Sequence, residues 1–367
     1  MLIPTPTLRP ELRSGLTELD RLRAELGRET GRPAPWIGAL RRQVRASAVE
    51  GSTSIEGFSV GGGEAVALVG GERSVDPGDE NRMAVACYAR AMDHVGAMAR
   101  DPSFRWLDRV ILDLHFDACS FQRNDGPGLW RSGPVGVTGG DGRLVYRGPG
   151  AEEVTGLMAE EVPGLMAEVV DWLESGDLGA HVVVRAAMAH LHVVSVHPFS
   201  DGNGRVSRIV QSLVLAREGL VSPEFGSIEE YLGRHTEAYY AALNEAHGPA
   251  YDPARDASGW IAFCVEAHLA QARQRLNQIE DAALRWSRLE DLVASRGWPE
   301  RLVIALEQSL MGGVDRSSFT TEADVSTATA TADFRRLLDA GLVDLRGRGP
   351  STSYVATEQL RRVLSSD

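Results

Sequence analysis

The residues best suited to chemistry stand together in one segment, HPFSDGNGRVSR, at residues 197–208. Its GNG turn, residues 202–204, leads into a predicted helix that begins near Arg205. Free backbone N–H groups at a helix N-terminus form an anion-binding site, and glycines let the anion approach closely. Arg205 and Arg208 lie three residues apart, so both project from one face of the first turn. Two guanidinium groups above such a site suit a polyphosphate.

Two other side chains of the segment add a metal ligand and a base. Asp201 stands beside the anion-binding turn, and magnesium commonly takes one or two carboxylates together with phosphate oxygens. His197 has an intrinsic pKa suited to taking a proton from a hydroxyl nucleophile. The segment therefore predicts phosphoryl or nucleotidyl transfer.

Composition narrows the class of enzyme further. The chain has 367 residues and contains no lysine, so all 38 basic residues are arginines. The absence of lysine excludes P-loop NTPases, protein kinases and Schiff-base enzymes, each of which needs one. A high-GC genome accounts for such a bias, and the exclusion holds whatever its cause. The net charge of −13 argues against broad, charge-driven binding to DNA or anionic membranes.

Residues 197–208 match the signature of the Fic/DOC family, HxFx[D/E]GNGRxxR, at every defined position, and the chain resembles this family over about residues 30–290. A pattern with so many fixed positions is very specific. The resemblance implies a mainly α protein, a Fic-fold helical bundle with a small β-hairpin flap. It also implies an enzyme that transfers AMP from ATP to a hydroxyl side chain of a target protein and releases pyrophosphate.

The resemblance also assigns roles to single residues. His197 would deprotonate a Ser, Thr or Tyr of the target, and Asp201 would hold the Mg²⁺ (or Mn²⁺) that bridges the α- and β-phosphates of ATP. Phe199 is expected to pack beneath the loop more than to touch the ligand. The set of residues predicted to form the nucleotide-binding loop is Phe199, Asp201, Gly202, Asn203, Gly204, Arg205 and Arg208.

A glycine-rich break in the helical pattern at residues 126–150 predicts a β-hairpin. By resemblance this hairpin is the target-binding flap, which would hold a target segment by strand addition at about residues 135–145. The sequence reads Arg147-Gly148-Pro149 at the end of the flap, where relatives commonly carry a Pro-Pro pair. The protein's own chain is a further candidate target, and a homodimer is compatible with the resemblance.

A second family pattern lies near the N-terminus. Residues 52–57, STSIEG, match the inhibitory pattern [S/T]xxxE[G/N] and close a predicted helix that ends at Gly57. A glutamate in the last helical turn is placed against the helix dipole, so a partner arginine is expected. We expect Glu56 to pair with Arg208, and Ser52, one turn earlier on the same face, to help fix the helix. The alternative is that Glu56 is a solvated carboxylate near a helix end.

The elements that must position these residues are mostly helices. Residues 181–196 are apolar nearly all round, so this helix is expected at the centre of the bundle. Residues 61–78 are rich in glycine and are expected to form an exposed connection. Helical periodicity predicts the other helices at residues 9–28, at about 36–56, 80–99, 106–121, 151–175, 205–218 and 260–298. The predicted organisation is an N-terminal helical region at 1–100, a catalytic domain at 101–250, a linker helix at 251–297 and a C-terminal domain at 298–367.

The C-terminal 70 residues follow a different pattern. A helix, a helix–turn–helix and two strands around residues 347–349 predict a winged-helix domain. Eight arginines stand against ten acidic residues from Trp298 to Asp367, and a DNA reader usually has a basic face. We therefore favour a protein-contact or dimerisation role for this domain over DNA binding.

Two alternatives to AMP transfer remain open on the sequence. Another chemistry of the same fold is transfer of UMP or phosphocholine, protein phosphorylation, or removal of AMP, and Gly204 argues against phosphorylation. A different class is a transcriptional regulator that senses nucleotide and binds DNA through the winged helix.

The absence of a long apolar window and of a signal-like N-terminus, with three widely spaced cysteines, predicts a cytoplasmic protein with no membrane span.

Overall fold

The computed structural model describes residues 1–71, 75–138, 144–150, 158–218, 223–347 and 352–365. The described chain is mainly helical, as predicted, and its strands form two small antiparallel hairpins. No helix in these ranges is both long and apolar enough to cross a bilayer.

The helices of the N-terminal three quarters of the chain are α1 Pro10–Gly31, α2 Ile37–Ile55, α3 Gly62–Val69, α4 Glu80–Arg100, α5 Asp108–Cys119, α6 Met158–Ser175, α7 Val182–Val196, α8 Asn203–Glu218, α9 Pro223–Gly226, α10 Glu229–Arg234, α11 Thr236–His247 and α12 Ser258–Ser295. A single 3₁₀ turn at Arg123–Asp125 follows α5. The predicted helix at 151–175 is described only from Met158, and its first seven residues lie outside the described ranges.

Helix α7 is the centre of the bundle, as its apolar sequence predicts. Every residue from Val183 to Val196 is buried, and the helix packs against α6, α8, α11 and α12. A helix with no polar face can be stable only where neighbours cover it on all sides. Its C-terminal end is therefore a rigid platform for the residues that follow, which begin with His197.

Helix α2 crosses α10 at unusually close range. A Cβ atom on Gly51 would lie 2.5 Å from the carbonyl oxygen of Glu229, and one on Gly233 would lie 2.6 Å from the Cα of Gly51. Because real side chains do not fit at such distances, both glycines are needed for this crossing. The crossing fixes α2, whose last turn carries the predicted inhibitory residues, against the bundle.

The first hairpin is shorter than its predicted span. Strands β1, Gly136–Thr138, and β2, Leu144–Arg147, pair antiparallel with an irregularity in register after Val137, and the residues between them lie outside the described ranges. The hydroxyl of Tyr146 is buried and donates to the carbonyl of Ser195 in α7. The hairpin is thus anchored to the central helix by its second strand.

The C-terminal region is built on a second set of buried residues. The first hydrophobic cluster extends from Ile3 to Ala282, and the second from Trp286 to Leu360, so α12 passes from one to the other. The predicted boundaries at residues 100 and 250 fall inside the first cluster. The elements of the second region are α13 Leu302–Leu310, α14 Arg316–Glu322, α15 Thr327–Asp339, β3 Val343–Arg346, β4 Ser353–Ala356 and α16 Glu358–Ser365.

One prediction about the elements is wrong. Residues 61–78 were expected to form an exposed connection, but Gly62–Val69 is helix α3, and its Ala65 and Leu68 are buried. The sequence GGEAVALV has a run of good helix formers after its glycines, and tertiary burial of this short apolar segment outweighs the helix-breaking effect of the glycines.

Candidate active site

The predicted reactive segment forms the loop between α7 and α8. His197 ends α7 in the left-handed conformation, with φ of 51°, and its N–H donates to the carbonyl of Val193. The Asn203 side chain closes the loop, because its Oδ1 accepts from the N–H of Phe199 at 2.9 Å and its Nδ2 donates to the carbonyl of Phe199 at 2.8 Å. Gly202 has φ of +80°, and a Cβ there would lie 2.4 Å from the Sγ of Cys119. The loop therefore has one compact conformation that needs these residue types.

His197 is held in the form of a base. Its Nδ1 lies 3.1 Å from the carbonyl oxygen of Val194. A carbonyl oxygen only accepts, so Nδ1 carries the proton and Nε2 keeps its lone pair. Burial lowers the pKa of His197 to about 4, although the hydrogen bond to Val194 opposes this shift. The imidazole is consequently neutral at pH 7 and able to accept a proton at Nε2.

The N-terminus of α8 is already in contact with a carboxylate. The helix begins at Asn203, so the N–H groups of its first turn are not used within the helix. A Cβ on Gly204 would lie 2.6 Å from the Oε1 of Glu56. A carboxylate oxygen thus occupies the space that the missing side chain of Gly204 leaves open. Such a position at a helix N-terminus suits an anion.

Arg208 is bound by the end of helix α2. Its side chain is 1% exposed, and its NH2 donates to Glu56 Oε1 at 2.8 Å. Its Nε donates to the Ser52 hydroxyl at 2.6 Å, and NH2 also donates to the Ser52 carbonyl at 3.1 Å. Burial alone would lower the pKa of Arg208, but Glu56 and the hydroxyl of Tyr239 raise it above its ordinary value. Gly57 follows with φ of +87°, which ends the helix.

Arg205 has different partners from Arg208. Its NH2 donates to Asp201 Oδ2 and to Gln122 Oε1, both at 2.6 Å. The rings of Phe58 and Phe121 lie 5.7 and 5.6 Å from its guanidinium carbon. The side chain is 1% exposed, and within the described chain its Nε and NH1 have no hydrogen-bond partner. A buried guanidinium with two nitrogen atoms left without a partner among the described residues is suited to an anionic ligand.

A comparison with protein families identifies the domain that contains this loop. The model of the Fic/DOC family matches residues 106–215, which include α5, the first hairpin, α7 and most of α8. Residues 106–215 are a Fic/DOC domain.

Curated relatives of the Fic domain carry the name of one activity. Over 81 residues the chain is 41% identical to "Protein adenylyltransferase fic-1" of Caenorhabditis elegans, a match that covers 22% of this chain and 15% of the relative. Over 120 residues it is 32% identical to "Protein adenylyltransferase Fic" of Nematostella vectensis, a match that covers 30% of this chain and 27% of the relative. The matched segments thus span less than a third of these relatives' length.

Solved structures show the same fold over more of the chain. A Fic family protein from Desulfovibrio desulfuricans G20 covers 97% of this chain and 98% of its own, with a TM-score of 0.59 and 20% identity. Fic-1 from C. elegans, residues 134–508, covers 74% of this chain and 73% of its own, with a TM-score of 0.57 and 20% identity. At these identities the likeness establishes the Fic fold alone.

Phe199 does not line the open face of the Fic loop, although it belongs to the predicted nucleotide-binding set. Its ring is fully buried, stacks on the ring of His115 at 3.7 Å and lies 5.1 Å from Trp130. Aromatic packing of this kind supports the loop from below. The sequence correctly predicts that Phe199 packs beneath the loop.

Two residues that support the loop were not predicted from the sequence. His115 accepts from the N–H of Gly128 at Nδ1, so its Nε2 carries the proton and donates to the Asp201 carbonyl at 3.1 Å. Burial lowers the pKa of His115 to about 4. Arg131 donates to the carbonyl of His197 at 2.7 Å. The signal for His115 is a polar residue on the apolar face of a predicted helix, but Arg131 has no local signal.

Asp201 fits the role of a single metal ligand. Its side chain is 45% exposed, and one carboxylate oxygen pairs with Arg205. Among the described residues there is no group of three His, Cys, Asp or Glu side chains that could hold a metal ion. Magnesium that is bound together with a nucleotide needs only one or two carboxylates, since phosphate oxygens and water complete its shell. The donor set suits a metal that arrives with its nucleotide.

Proposed function

We propose that this chain transfers AMP from ATP to a hydroxyl side chain of a protein. The observation that carries the proposal is the Fic loop itself: a neutral histidine base adjoins a helix N-terminus flanked by two buried arginines. These groups suit one base-assisted attack on a polyphosphate. The names of the curated relatives support the same activity.

Each residue of the site would have its own role in the reaction. His197 Nε2 takes the proton of the acceptor hydroxyl while the acceptor oxygen bonds to the α-phosphorus of ATP. The bond from that phosphorus to the oxygen bridging to the β-phosphate breaks, and pyrophosphate leaves. Gly202, Asn203 and Gly204 hold the phosphates at the start of α8, and the guanidinium groups of Arg205 and Arg208 balance their charge.

Asp201 would hold Mg²⁺ or Mn²⁺ together with the nucleotide. The metal, when bound, supplies positive charge to the α- and β-phosphates. Removing the carboxylate in Asp201→Ala should abolish transfer for this reason, and excess EDTA should do the same to the unchanged chain.

The protein substrate would add a strand to the first hairpin, at about residues 135–145. Strand addition uses main-chain hydrogen bonds and demands little of the target's side chains. Leu144 is 51% exposed on β2, so this part of the hairpin is open to a partner. A segment of the protein's own chain would also satisfy this mode and would give self-modification.

Glu56 would keep the site inactive. Its carboxylate holds Arg208 and fills the space beside Gly204, and both features belong to the proposed phosphate site. ATP that binds while Glu56 is in place would lack the contact with Arg208 and would lie in an unproductive pose. We assign Ser52 to the same device, because its hydroxyl and carbonyl bind the rest of the Arg208 guanidinium.

The C-terminal region would serve contact with a protein or a second copy of the chain. Its element order supports a winged-helix domain, in which α14 and α15 form the helix–turn–helix and β3 and β4 the wing. Its acidic balance is unfavourable for DNA.

Labelled ATP tests the proposed chemistry. We expect Glu56→Gly to incorporate label into protein from [α-³²P]ATP and not from [γ-³²P]ATP. Glu56→Gly combined with His197→Ala should lose this incorporation by about 10²–10⁴-fold while still binding ATP, because the histidine acts on the hydroxyl and not on the nucleotide. Label from the γ-phosphate, or full transfer without His197, would contradict the proposal.

A further inference from the structure

Arg131 connects the hairpin to the loop that contains His197. The residue lies between the 3₁₀ turn and β1, and its side chain is 6% exposed. Its Nε donates to the His197 carbonyl at 2.7 Å, its NH1 to the Gly133 carbonyl at 2.8 Å, and its NH2 to the Pro149 carbonyl at 2.7 Å. A longer contact at 3.5 Å joins NH2 to the Val196 carbonyl. One guanidinium thus spans three separate stretches of backbone.

The three stretches are the two ends of the hairpin and the peptide of the histidine. Gly133 precedes β1 and Pro149 follows β2, while Val196 and His197 end helix α7. The N–H of Arg131 also donates to the Pro198 carbonyl at 2.9 Å, so its main chain is fixed to the same loop. Carbonyls at a helix C-terminus carry partial negative charge, which favours a cation there.

The junction has no spare room. A Cβ on Gly148 would lie 2.7 Å from Val135 Cγ1, 3.3 Å from Arg131 NH2 and 3.5 Å from the Cβ of His197. The N–H of Gly148 donates to the Val135 carbonyl at 3.2 Å and so closes the base of the hairpin. Hairpin, guanidinium and histidine are therefore packed against one another, and a shift in one is transmitted to the others.

Only an arginine supplies these contacts. A guanidinium offers five N–H donors in a planar fork, whereas a lysine ammonium is a compact point charge. All hydrogen-bond acceptors of the Arg131 side chain within the described ranges are main-chain carbonyls. Burial lowers the pKa of Arg131 below its ordinary value. Burying this charge is unfavourable by itself, and the main-chain carbonyls around the guanidinium offset that cost.

We infer that Arg131 is a positioning residue that sets the hairpin relative to His197, and so selects a protein hydroxyl over water as the acceptor of AMP. This inference rests on the proposed function. Attack by a protein hydroxyl gives AMP bonded to protein plus pyrophosphate, and attack by water gives free AMP plus pyrophosphate. In both cases His197 takes the acceptor's proton. Only attack by a protein hydroxyl requires that the hairpin hold its strand at a fixed distance from Nε2 of His197.

The test measures how AMP is partitioned between protein and water. In the Glu56→Gly background, Arg131→Met and Arg131→Lys are compared with Arg123→Met, which removes an exposed arginine eight residues earlier. Protein-bound and free AMP are counted from [α-³²P]ATP, and ATP affinity is measured by calorimetry. We expect Arg131→Met to lower the ratio of protein-bound to free AMP by about tenfold or more, with ATP affinity unchanged. The ratio for Arg131→Lys should fall between those of Arg131→Met and the Glu56→Gly background. The ratio for Arg123→Met should equal that of the background.

A loss of protein-bound and free AMP in equal proportion would overturn the inference, and so would an unchanged ratio. A second measurement does not need activity. Hydrogen exchange of Arg131→Met should become faster both at the described hairpin residues and at 196–200, while exchange in the core of α7 stays slow. Unchanged hydrogen exchange at the hairpin would also overturn the inference about Arg131. If the Glu56→Gly background forms neither product, the proposed function fails, and the exchange result still decides whether Arg131 joins the two elements.

Discussion

Gly204 has no side chain, and a carboxylate oxygen of Glu56 occupies the space that a methyl group would fill there. The same oxygen accepts from Arg208 at 2.8 Å. At the scale of single residues, the Fic loop of this chain is therefore already in contact with an anion, and that anion comes from the protein itself. The pairing of Glu56 with Arg208 is the one predicted from the pattern STSIEG and the helix dipole.

The pH dependence of transfer should report His197. Since burial lowers the pKa of His197 to about 4, its imidazole remains neutral across the physiological range. We expect kcat/KM of Glu56→Gly to stay constant from pH 8 down to about pH 5 and to fall only below it, because a general base must be unprotonated. The measurement is initial rates across this range, with circular dichroism as the control for folding. Half-maximal activity at pH 6.5 or above would contradict the assigned tautomer and burial.

At the scale of elements, helix α2 connects the crossing with α10 to the Fic loop. Its Gly51 lies against the backbone of Glu229, and its Ser52 and Glu56 bind Arg208. The helix therefore needs close contact with α10 in order to hold its last turn in place.

Gly51→Ala should weaken this hold. The added Cβ would lie 2.5 Å from a main-chain oxygen that cannot move aside easily, so α2 must shift. We expect a loss of stability of about 1–3 kcal/mol from overpacking, together with AMP transfer above that of the unchanged chain. Gly38→Ala on the same helix is the control, because its Cβ would approach nothing closer than an Arg42 nitrogen at 3.9 Å. Thermal melting and label incorporation give both quantities. Unchanged melting and unchanged transfer would show that the crossing does not fix α2.

Helix periodicity predicted most elements because their patterns are local. The all-apolar sequence at residues 181–196 predicts the central helix, and the helical periodicity at residues 260–298 predicts α12, because each pattern extends over many residues. Helix α3 was not predicted, because it has only eight residues and owes its stability to burial. The Fic loop could be predicted because its residues are contiguous. Arg131 could not, because its role depends on carbonyls 18 and 66 residues away.

At the scale of the whole molecule, several histidines are buried in the neutral form. Burial lowers the pKa of His192 to about 4, that of His190 to about 3 and that of His268 well below its ordinary value. His190 uses both ring nitrogens, at 2.7 Å from Gln211 Oε1 and 3.1 Å from the Tyr239 hydroxyl. These side chains serve the core of the bundle, and protonating them in the folded state is unfavourable.

The protein should therefore lose stability in mild acid. Between the unfolded pKa of about 6.5 and the folded values, the unfolded chain binds more protons, so stability falls as pH decreases, by up to about 1.4 kcal/mol per pH unit for each such histidine. Urea midpoints at pH 7 and pH 5 measure the effect. His192→Gln should reduce the difference between the two midpoints, because it removes one of these buried imidazoles. Equal midpoints at both pH values, or a higher one at pH 5, would contradict this account.

The proposed inhibition depends most directly on Glu56 keeping Arg208 from binding ATP. The decisive measurement is the rate of AMP incorporation, by intact mass, in the unchanged chain and in Glu56→Gly, each with Mg²⁺ and ATP. Ser54→Ala is the matched control, since its side chain is exposed on the same last turn of α2. We expect Glu56→Gly to gain AMP well above the unchanged chain, Ser54→Ala to match the unchanged chain, and Arg208→Ala to abolish the gain. Equal incorporation by the unchanged chain and a well-folded Glu56→Gly would contradict the account.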